Sequence, residues 1–292
     1  MVKTFDPSGW TLEGAVLLKR GRTVSVCIPC RNEAETVGDL VRLIEPALVG
    51  TLVDELIVLD DDSTDGTGEI AAEAGATVVP IDHIHRVYGH ARGKGNALWA
   101  SLLASTGDIV VWIDGDITSF SIDWIVRLVT PLLIDDELGL VKASYERPEH
   151  FGGGGRTTEL VARPLLSMFF PELAALQQPL AGEYAGRRSM LEEIPFNTGW
   201  GVEVGMLIDM QQRFGTESIG QVDLGVRLHR HHKLDRLAIQ GAEVSATVLM
   251  HTAQPPVFAD EVPVLRRKSG ESLPLNVGSR PPVSSLAVMR DL

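Results

Sequence analysis

The run from Ile109 to Asp116 constrains the fold of this chain more than any other stretch. Its first five residues, Ile109-Val-Val-Trp-Ile113, are apolar and mostly β-branched, and Asp114-Gly115-Asp116 follows at once. Such a run predicts a strand that is buried on both faces, as in a parallel sheet covered by helices. Ligands of such sheets bind at the carboxyl edge of the strands, so both aspartates are expected at a ligand site.

The two aspartates also indicate which ligand to expect. Neighbouring carboxylates repel each other unless a cation lies beside them. A divalent metal that carries a phosphate-containing ligand suits this arrangement, and Gly115 lets the backbone approach that ligand closely. The simpler alternative is a helix N-cap after the strand, which would be the better explanation for a single aspartate. For the pair we favour the metal site.

Segments of strand and helix character alternate along the first half of the chain. This rhythm predicts an α/β fold with a doubly wound, mostly parallel sheet flanked by helices. Right-handed crossovers would gather Pro29, Asp60 and Asp114 at one edge of that sheet. The predicted strands are 24–28, 56–59, 77–81, 109–113, 140–145 and 219–228, and the predicted helices are 12–19, 33–48, 67–74, 94–104, 123–133, 203–212 and 233–250.

Composition excludes several classes of function. The net charge of −13 argues against a general nucleic-acid surface or an anionic membrane surface, so an anionic substrate needs a local basic pocket or a metal. No apolar run reaches the roughly 18 residues of a membrane span. The segment Met1–Asp6 lacks the features of a signal peptide, which predicts a cytoplasmic protein. Beyond Gln254 periodicity ends, and residues 254–292 are expected to form a loosely attached, Pro/Ser-rich arm.

The pair Cys27 and Cys30 has the C-x-x-C spacing of redox and zinc motifs. Cys27 falls inside a predicted strand, and the chain has no second cysteine pair to complete a zinc site. A redox motif would open a helix of a thioredoxin-like unit, and the surrounding pattern does not supply one. We therefore expect neither role.

Three further loops carry polar groups. The loop 29–33 offers backbone and polar groups beside the sheet, or it caps the next helix. The turn 60–65 is too acidic to hold phosphate and suits hydroxyl or nucleobase hydrogen bonds, with Asp60 as the best candidate; the alternative is a turn with an N-cap. The loop 92–96 places Lys94 among glycines at a predicted helix start, where anions bind, although it lacks the spacing of a nucleotide-hydrolase phosphate loop.

The second half contains two more candidate sites. Four glycines, 152–155, precede Arg156 and Thr158; they are costly to order, so either a ligand organises this loop or it is a mobile linker. An arginine there can bind phosphate or carboxylate in bidentate fashion. The cluster 229–232 contains three histidines, which are good metal ligands, or it is a surface basic patch. One histidine with one or two aspartates completes a site typical of Mg²⁺ or Mn²⁺.

Taken in order, these motifs resemble a known enzyme family. The chain resembles the nucleotide-sugar glycosyltransferases of the GT-A type in four segments: Pro29…Asn32-Glu33, 54–60, 93–95 and 114–116. It resembles the actinobacterial glucosyl-3-phosphoglycerate synthases more closely, in segments 153–166, 178–185, 201–205 and 224–230. The resemblance runs from about residue 8 to 250, with long segments agreeing in order and spacing.

The resemblance implies an activity and an architecture. It implies a GT-A fold, with residues 1–120 as the nucleotide-sugar-binding half and residues 121–253 as the smaller acceptor-binding half. The implied reaction is a metal-dependent, retaining transfer of glucose from UDP- or GDP-glucose to the 2-hydroxyl of 3-phosphoglycerate. The implied cofactor is Mg²⁺ or Mn²⁺, and the implied assembly is a homodimer without nucleic-acid or membrane partners. A mannosyl transfer from GDP-mannose and a non-catalytic nucleotide-sugar-binding module are the alternatives.

The resemblance also assigns residues, position by position. It implies nucleotide-sugar contacts for Pro29, Cys30, Arg31, Glu33, Asp61, Lys94, Asp114, Gly115, Asp116 and Glu203. It implies acceptor contacts for Gly155, Arg156, Thr158 and His231, and metal ligation by Asp116 and His229. The catalytic residues that it implies are Asp116, Glu203 and Lys94.

Three positions depart from the family pattern. Arg31 replaces a small apolar residue and Asp61 replaces a common serine, which leaves the base of the nucleotide open. His231 replaces a common asparagine, which leaves the geometry of the acceptor open. Retention has two possible routes, a covalent carboxylate intermediate or attack from the face of the leaving group. We favour the second, because the sequence places no carboxylate obviously as a nucleophile; Glu203 is the only candidate to test.

Overall fold

The computed structural model describes residues 1–146, 155–227, 234–255, 257 and 263–286. An eight-stranded sheet lies at its centre, and two small two-stranded sheets lie outside it. The described strands are β1 (Lys3–Phe5), β2 (Val24–Cys30), β3 (Glu55–Asp60), β4 (Thr77–Pro80), β5 (Ile109–Trp112), β6 (Leu140–Glu146), β7 (Tyr184–Arg187), β8 (Phe196–Asn197), β9 (Ile219–Val226), β10 (Val264–Arg266), β11 (Ser272–Pro274) and β12 (Ser279–Arg280).

Helices pack on both faces of the large sheet, as the sequence predicts. The described helices are α1 (Leu12–Lys19), α2 (Val37–Leu48), α3 (Thr67–Glu73), α4 (Ile81–Tyr88), α5 (Lys94–Ala104), α6 (Asp123–Ile134), α7 (Arg163–Phe169), α8 (Arg188–Leu191), α9 (Val202–Phe214) and α10 (Leu234–Met250). A π-helical turn, Thr158–Ala162, leads into α7. Among these helices, none combines the length and the apolarity that crossing a membrane requires.

The order of strands in the large sheet is β1-β9-β6-β7-β5-β2-β3-β4. All neighbours are parallel except β7, which runs antiparallel to both β5 and β6. The predicted doubly wound, mostly parallel sheet is therefore confirmed. Because β7 runs backwards, with Tyr184 opposite Trp112, the start of β7 lies at the same edge as the end of β5.

The central strand β5 is buried on both faces. Its four residues, Ile109–Trp112, are all fully buried. Val111 belongs to the core that includes Leu128 of α6, whereas Trp112 belongs to the core that includes Trp99 of α5. Two layers of helices thus explain why this strand is apolar at every position.

The cysteines of the C-x-x-C sequence point to opposite faces of β2. Cys27 packs in one core and Cys30 in the other, and both are free thiols. Burial raises the pKa of the Cys27 thiol to about 12 and also raises that of Cys30. Opposite faces and suppressed ionisation are what a structural pair of cysteines would show, and they do not suit a disulfide motif.

The C-terminal arm is held more tightly than the sequence predicts. Strand β12 pairs with β8, and Trp99 Nε1 donates a hydrogen bond to Pro281 O at 2.8 Å. The Arg280 guanidinium donates to Asn96 Oδ1 at 2.8 Å and lies 4.7 Å from the centroid of the Trp99 ring. The expectation of a loosely attached arm is therefore wrong for residues 276–286, because polar contacts, rather than apolar periodicity, attach this segment.

Candidate active site

The carboxyl edge of the sheet opens into a cavity of about 400 Å³. Parallel pairing explains the convergence, because Cys30 of β2 lies opposite Asp60 of β3, and β5 ends beside β2. The described residues that the family resemblance assigned to a site all line this cavity: Pro29, Cys30, Arg31, Glu33, Asp61, Lys94, Asp114, Gly115, Asp116, Gly155, Arg156, Thr158 and Glu203. Two others, His229 and His231, lie outside the described residues.

The two aspartates after β5 have different surroundings. Asp114 accepts hydrogen bonds from Lys94 Nζ at 2.7 Å and from Arg227 Nη2 at 3.1 Å. Burial opposes the charge on Asp114, but Lys94 and Arg227 outweigh it and lower the pKa of this carboxyl. Asp116 is approached by Arg227 only at 3.9 Å, and about a quarter of its side chain, 26%, is exposed. Asp114 is thus committed to protein partners, whereas Asp116 faces the cavity.

The glycine between these aspartates is required by close packing. A Cβ on Gly115 would lie 2.7 Å from Cys30 Sγ, a distance that side-chain carbons do not tolerate. The carbonyl oxygen of Gly115 accepts a hydrogen bond from Thr36 Oγ1 at 2.6 Å. The turn therefore lies directly against the end of β2, which fixes where Asp116 points.

Lys94 and Glu203 form an ion pair between two helix starts. Lys94 is the first residue of α5, Glu203 is in the first turn of α9, and Lys94 Nζ lies 2.8 Å from Glu203 Oε1. Burial opposes the charge on Lys94, but the carboxylates of Asp114 and Glu203 outweigh it and hold the pKa of Lys94 well above its usual value. Lys94 therefore stays cationic at the cavity wall, with two carboxylates attached.

Sequence analysis did not single out Arg227, which follows β9. Its Nη2 lies 2.8 Å from Glu183 Oε1, and its guanidinium lies 5.6 Å from the centroid of the Tyr145 ring. The exposed fraction of its side chain is 6%. Because β7 runs antiparallel, Glu183 at the start of β7 meets Asp114 at the end of β5, and Arg227 joins the two. The signal available in the sequence was its place near the end of the predicted strand 219–228.

At the β3 end of the cavity, the candidate residue of the acidic turn is Asp61 and not Asp60, which the residue pattern favoured. Asp60 was the residue-based candidate, but its Oδ1 accepts the Ser63 backbone N–H at 3.0 Å, within the turn. Asp61 lines the cavity instead, and Arg31 Nη1 lies 3.5 Å from its Oδ2. Burial raises the pKa of Asp61, and Arg31 opposes that rise. Among the described residues, Asp61 Oδ1 has no hydrogen-bond partner, so it is available to a donor in the cavity.

The opposite end of the cavity is built from the π-helical turn and α10. Gly155 and Arg156 precede the turn, and Thr158 is buried in it. Thr157 Oγ1 donates to Gln240 Oε1 of α10 at 3.2 Å, which joins the two elements. One turn earlier on α10, the Arg236 guanidinium lies 5.4 Å from the centroid of the Trp200 ring, and both residues line the cavity. Sequence analysis did not single out Arg236.

A metal ion fits this site if its ligand supplies most of the coordination. Within the described ranges, no three His, Cys, Asp or Glu side chains cluster into a ready-made metal site. Asp116 offers a carboxylate that has no short ion pair among the described residues. Hard divalent cations accept such a single carboxylate together with phosphate oxygens and water. The residues therefore suit a metal that binds together with a diphosphate.

Comparison with known proteins identifies the family. The model of the family described as Glycosyl transferase family 2 matches residues 25–199. This range includes most of β2, the turn after β5 and the first part of the turn that precedes α9. The chain belongs to glycosyl transferase family 2. The resemblance noted in the sequence is also confirmed, as is the GT-A glycosyltransferase architecture expected from it.

Curated relatives of this glycosyltransferase share its full extent. The glucosyl-3-phosphoglycerate synthase of Mycolicibacterium smegmatis is 45% identical over 296 residues, covering 97% of this chain and 96% of the relative. The enzyme of that name from Mycobacterium tuberculosis is 45% identical over 261 residues, covering 86% of this chain and 80% of the relative. The similarity therefore extends over the residues at both ends of the cavity.

A solved structure shows the same fold with ligands bound. The crystal structure of glucosyl-3-phosphoglycerate synthase from Mycobacterium tuberculosis in complex with Mn²⁺, UDP-glucose and phosphoglyceric acid superposes with a TM-score of 0.89, at 42% identity and over 97% of this chain and 98% of that one. A second crystal structure of that enzyme, with Mg²⁺ and UDP, gives a TM-score of 0.88.

Proposed function

We propose that this glycosyltransferase moves glucose from UDP-glucose to the 2-hydroxyl of 3-phosphoglycerate and retains the anomeric configuration. The observation that carries the proposal is the single cavity, which holds Asp116 and Lys94 on one side and Arg156 on the other. A donor diphosphate and an anionic acceptor can therefore meet in one place. The relatives described above bear the glucosyl name, which supports glucose over mannose.

The nucleotide is proposed to bind at the end of β2 and β3. Asp61 Oδ1, buried and without a described partner, is suited to accept the imide N–H of the base. Arg31, beside it, is suited to donate to a neighbouring carbonyl of the same base. Pro29, Cys30 and Glu33 complete this wall of the cavity. Uracil and guanine share that imide edge, and the bound UDP of the related structures supports uracil.

We propose that the Asp116 carboxylate binds the metal ion that accompanies the donor, Mg²⁺ or Mn²⁺. Metal ligation by His229, which lies outside the described residues, stays a prediction. A bound divalent cation would neutralise charge on the leaving diphosphate. Asp114 has a different part, because its contacts with Lys94 and Arg227 hold it in place next to Gly115. That arrangement orients Asp116 without using Asp114 as a free carboxylate.

Lys94 and Glu203 are proposed to act at the sugar and diphosphate. Lys94 stays cationic and is positioned to stabilise the charge that develops as the diphosphate leaves. Glu203 is suited to hold sugar hydroxyls, and its ion pair with Lys94 at 2.8 Å makes it a poor nucleophile. We therefore favour attack from the leaving-group face. The bond from C1 to the diphosphate breaks, the acceptor 2-oxygen bonds to C1, and its proton passes to the leaving phosphate.

The acceptor is proposed to bind where Gly155, Arg156 and Thr158 line the cavity. An arginine can hold phosphate or carboxylate in bidentate fashion, and a threonine hydroxyl can donate to the other group. His231 was expected to join them and stays a prediction. Phosphate and carboxylate together carry a charge that a chain with net charge −13 can bind only through such a local cationic site.

A homodimer is also proposed, through an apolar stripe on the π-helical turn and α7. Leu160 is 77% exposed and Met168 is 65% exposed, two turns apart on the same side. Light scattering of a variant with both residues changed to Ser is expected to show a monomer, whereas Leu17→Ser, on α1, is expected to leave the mass unchanged. A dimer that survives the double substitution contradicts this assignment.

We propose a cytoplasmic reaction, because both proposed substrates are cytoplasmic metabolites.

Asp116→Asn tests the proposed reaction most directly. It keeps the shape of the side chain and removes its charge, so kcat for glucose transfer with Mg²⁺ is expected to fall about 100-fold or more. UDP release is measured with UDP-glucose, GDP-glucose and GDP-mannose as donors, and the anomeric configuration of the product is read by NMR. Asp136→Asn, an exposed site 77% open to solvent, is the matched control. Full turnover by Asp116→Asn, or in chelator, contradicts the proposal.

A further inference from the structure

The C-terminal strap, defined here as residues 276–281, runs along the turn that precedes α9. Ser279 lies opposite Asn197 and Arg280 lies opposite Phe196, in antiparallel pairing. The pairing continues beyond the strand, because the Thr198 backbone N–H donates to Gly278 O at 2.9 Å. The strap therefore follows the turn 198–201, which leads directly to Glu203.

One residue of the strap contacts three separate elements. The Asn276 side chain donates from Nδ2 to Arg92 O at 2.6 Å, and its Oδ1 accepts from Thr198 Oγ1 at 2.6 Å. Its backbone N–H donates to Glu243 Oε1 of α10 at 2.8 Å. Asn276 thus joins the loop before α5, the turn before α9, and α10, and it also lines the cavity.

The two loops that Asn276 joins carry the ion pair at the cavity wall. Arg92 is two residues before Lys94, and Thr198 is five residues before Glu203. The first turn of α5 touches the turn before α9 through a hydrogen bond from the Asn96 backbone N–H to Thr198 O, at a long 3.3 Å. That contact alone is weak, and the shorter bonds of Asn276 act together with the Lys94–Glu203 ion pair to hold the register of the two helix starts.

The buried carboxylate of Glu243 completes the connection. Its Oε2 accepts the Trp200 backbone N–H at 2.9 Å, while its Oε1 accepts that of Asn276. The turn before α9 is therefore held from the strap side and from the α10 side. Since α10 also carries Gln240, which accepts a hydrogen bond from Thr157, the strap is connected through α10 to the proposed acceptor end of the cavity.

We propose that Asn276 is a positioning residue, which holds Lys94 and Glu203 in register and so sets the placement of the sugar against this ion pair. The inference rests on the proposed glucose transfer. Catalytic geometry is sensitive to displacements of about 1 Å, which can lower rates on the order of 100-fold. Asn276 acts through its hydrogen bonds to Arg92 O and Thr198 Oγ1, and these two bonds are the ones to remove.

Asn276→Ala removes both side-chain bonds and keeps the backbone bond to Glu243. The kcat for transfer from UDP-glucose is expected to fall about 10-fold, as for the loss of two ordinary hydrogen bonds. The Kd of UDP, which does not contain the sugar, is expected to stay within about 2-fold of wild type. The preference for UDP-glucose over its C4 epimer UDP-galactose, measured as the ratio of kcat/KM, is expected to fall.

The preference ratio separates positioning from stability. A structural role alone would lower the amount of active enzyme and leave both the ratio and the KM of the donor unchanged. Ser279→Ala is the matched control, because Ser279 lies on the same strap and its hydroxyl bonds only to Phe196 O and Arg280 O among the described residues. It is expected to keep wild-type kcat and selectivity.

Thr198→Val deletes one of the same two bonds from the other side and serves if Asn276→Ala does not fold. The two substitutions are expected to be non-additive when combined, because they share one hydrogen bond. Wild-type kcat and selectivity in either variant overturn the inference alone. A wild-type enzyme that transfers no glucose overturns the proposed function and, with it, this inference.

Discussion

Lys142 of β6 is a buried cation whose protonation should control stability. Only 1% of the residue is exposed, and its Nζ donates to Ala181 O at 2.5 Å and lies 3.9 Å from the centroid of the Tyr184 ring. Burial lowers the pKa of Lys142 to about 7, which the Glu203 carboxylate opposes and the Lys94 ammonium reinforces. The folded chain therefore releases this proton well before an unfolded chain does.

The sign of the pH dependence follows from that difference. An unfolded lysine has a pKa near 10.5, so between about pH 7 and pH 10 the unfolded state binds one proton more than the folded state. The free energy of unfolding then rises with pH, with a slope of about 1.4 kcal/mol per pH unit from this group. Lys142→Met fills a similar volume without a titrating group. Its stability relative to wild type is therefore expected to decrease by about 3 kcal/mol from pH 6 to pH 9.

Urea unfolding followed by tryptophan fluorescence at several pH values measures this difference. Lys268→Met, at an exposed site, has the same change in formal charge and is expected to leave the pH dependence of wild type unchanged. A stability difference between Lys142→Met and wild type that stays constant from pH 6 to pH 9 would refute the reasoning. It would mean that Lys142 stays charged inside the folded protein.

Three further substitutions test the cavity. Arg156→Ala is expected to raise the acceptor KM about 10- to 100-fold with little change in the donor KM, and an unchanged acceptor curve would contradict its assignment. Arg236→Gln removes a cation at the same end and is expected to raise the acceptor KM about 10-fold; a wild-type value would show that it does not contact the acceptor. Gly182→Ala puts a Cβ 2.1 Å from Asp114 Oδ2, so transfer activity is expected to fall more than about 10-fold with the circular dichroism spectrum retained. Full activity of that variant would show that Asp114 can move freely.

The strands of the first half were predictable because burial on two faces leaves a plain signal. Strands such as β2 and β5 are apolar at nearly every position, and their order along the chain defines the edge where they end. Strand β7, with the sequence Tyr-Ala-Gly-Arg, has neither a long apolar run nor a period of two. It is a strand because β5 and β6 pair with it on both sides, and a local sequence pattern does not show such tertiary pairing.

The candidate site shows the same division. Asp116 and Lys94 were found because each belongs to a local pattern, an aspartate pair after a strand or a lysine among glycines. Arg227 and Asn276 belong to no such pattern, since their partners lie between 33 and 184 residues away in the sequence. From the residues alone Asp60 was preferred to Asp61, because it directly follows the predicted strand 56–59; the observed strand includes Asp60, whose side chain accepts from Ser63 within the turn.

The placement of β1 has a consequence for how this protein is made. Lys3 pairs with Gly220 and Phe5 pairs with Val222, so β1 waits during synthesis for a partner strand that is made more than two hundred residues later. Until then, the growing chain carries unpaired strand edges, which invite association with other chains. Synthesis, rather than the finished fold, is thus where this enzyme is most exposed to aggregation, and fragments that stop short of β9 inherit that exposure permanently.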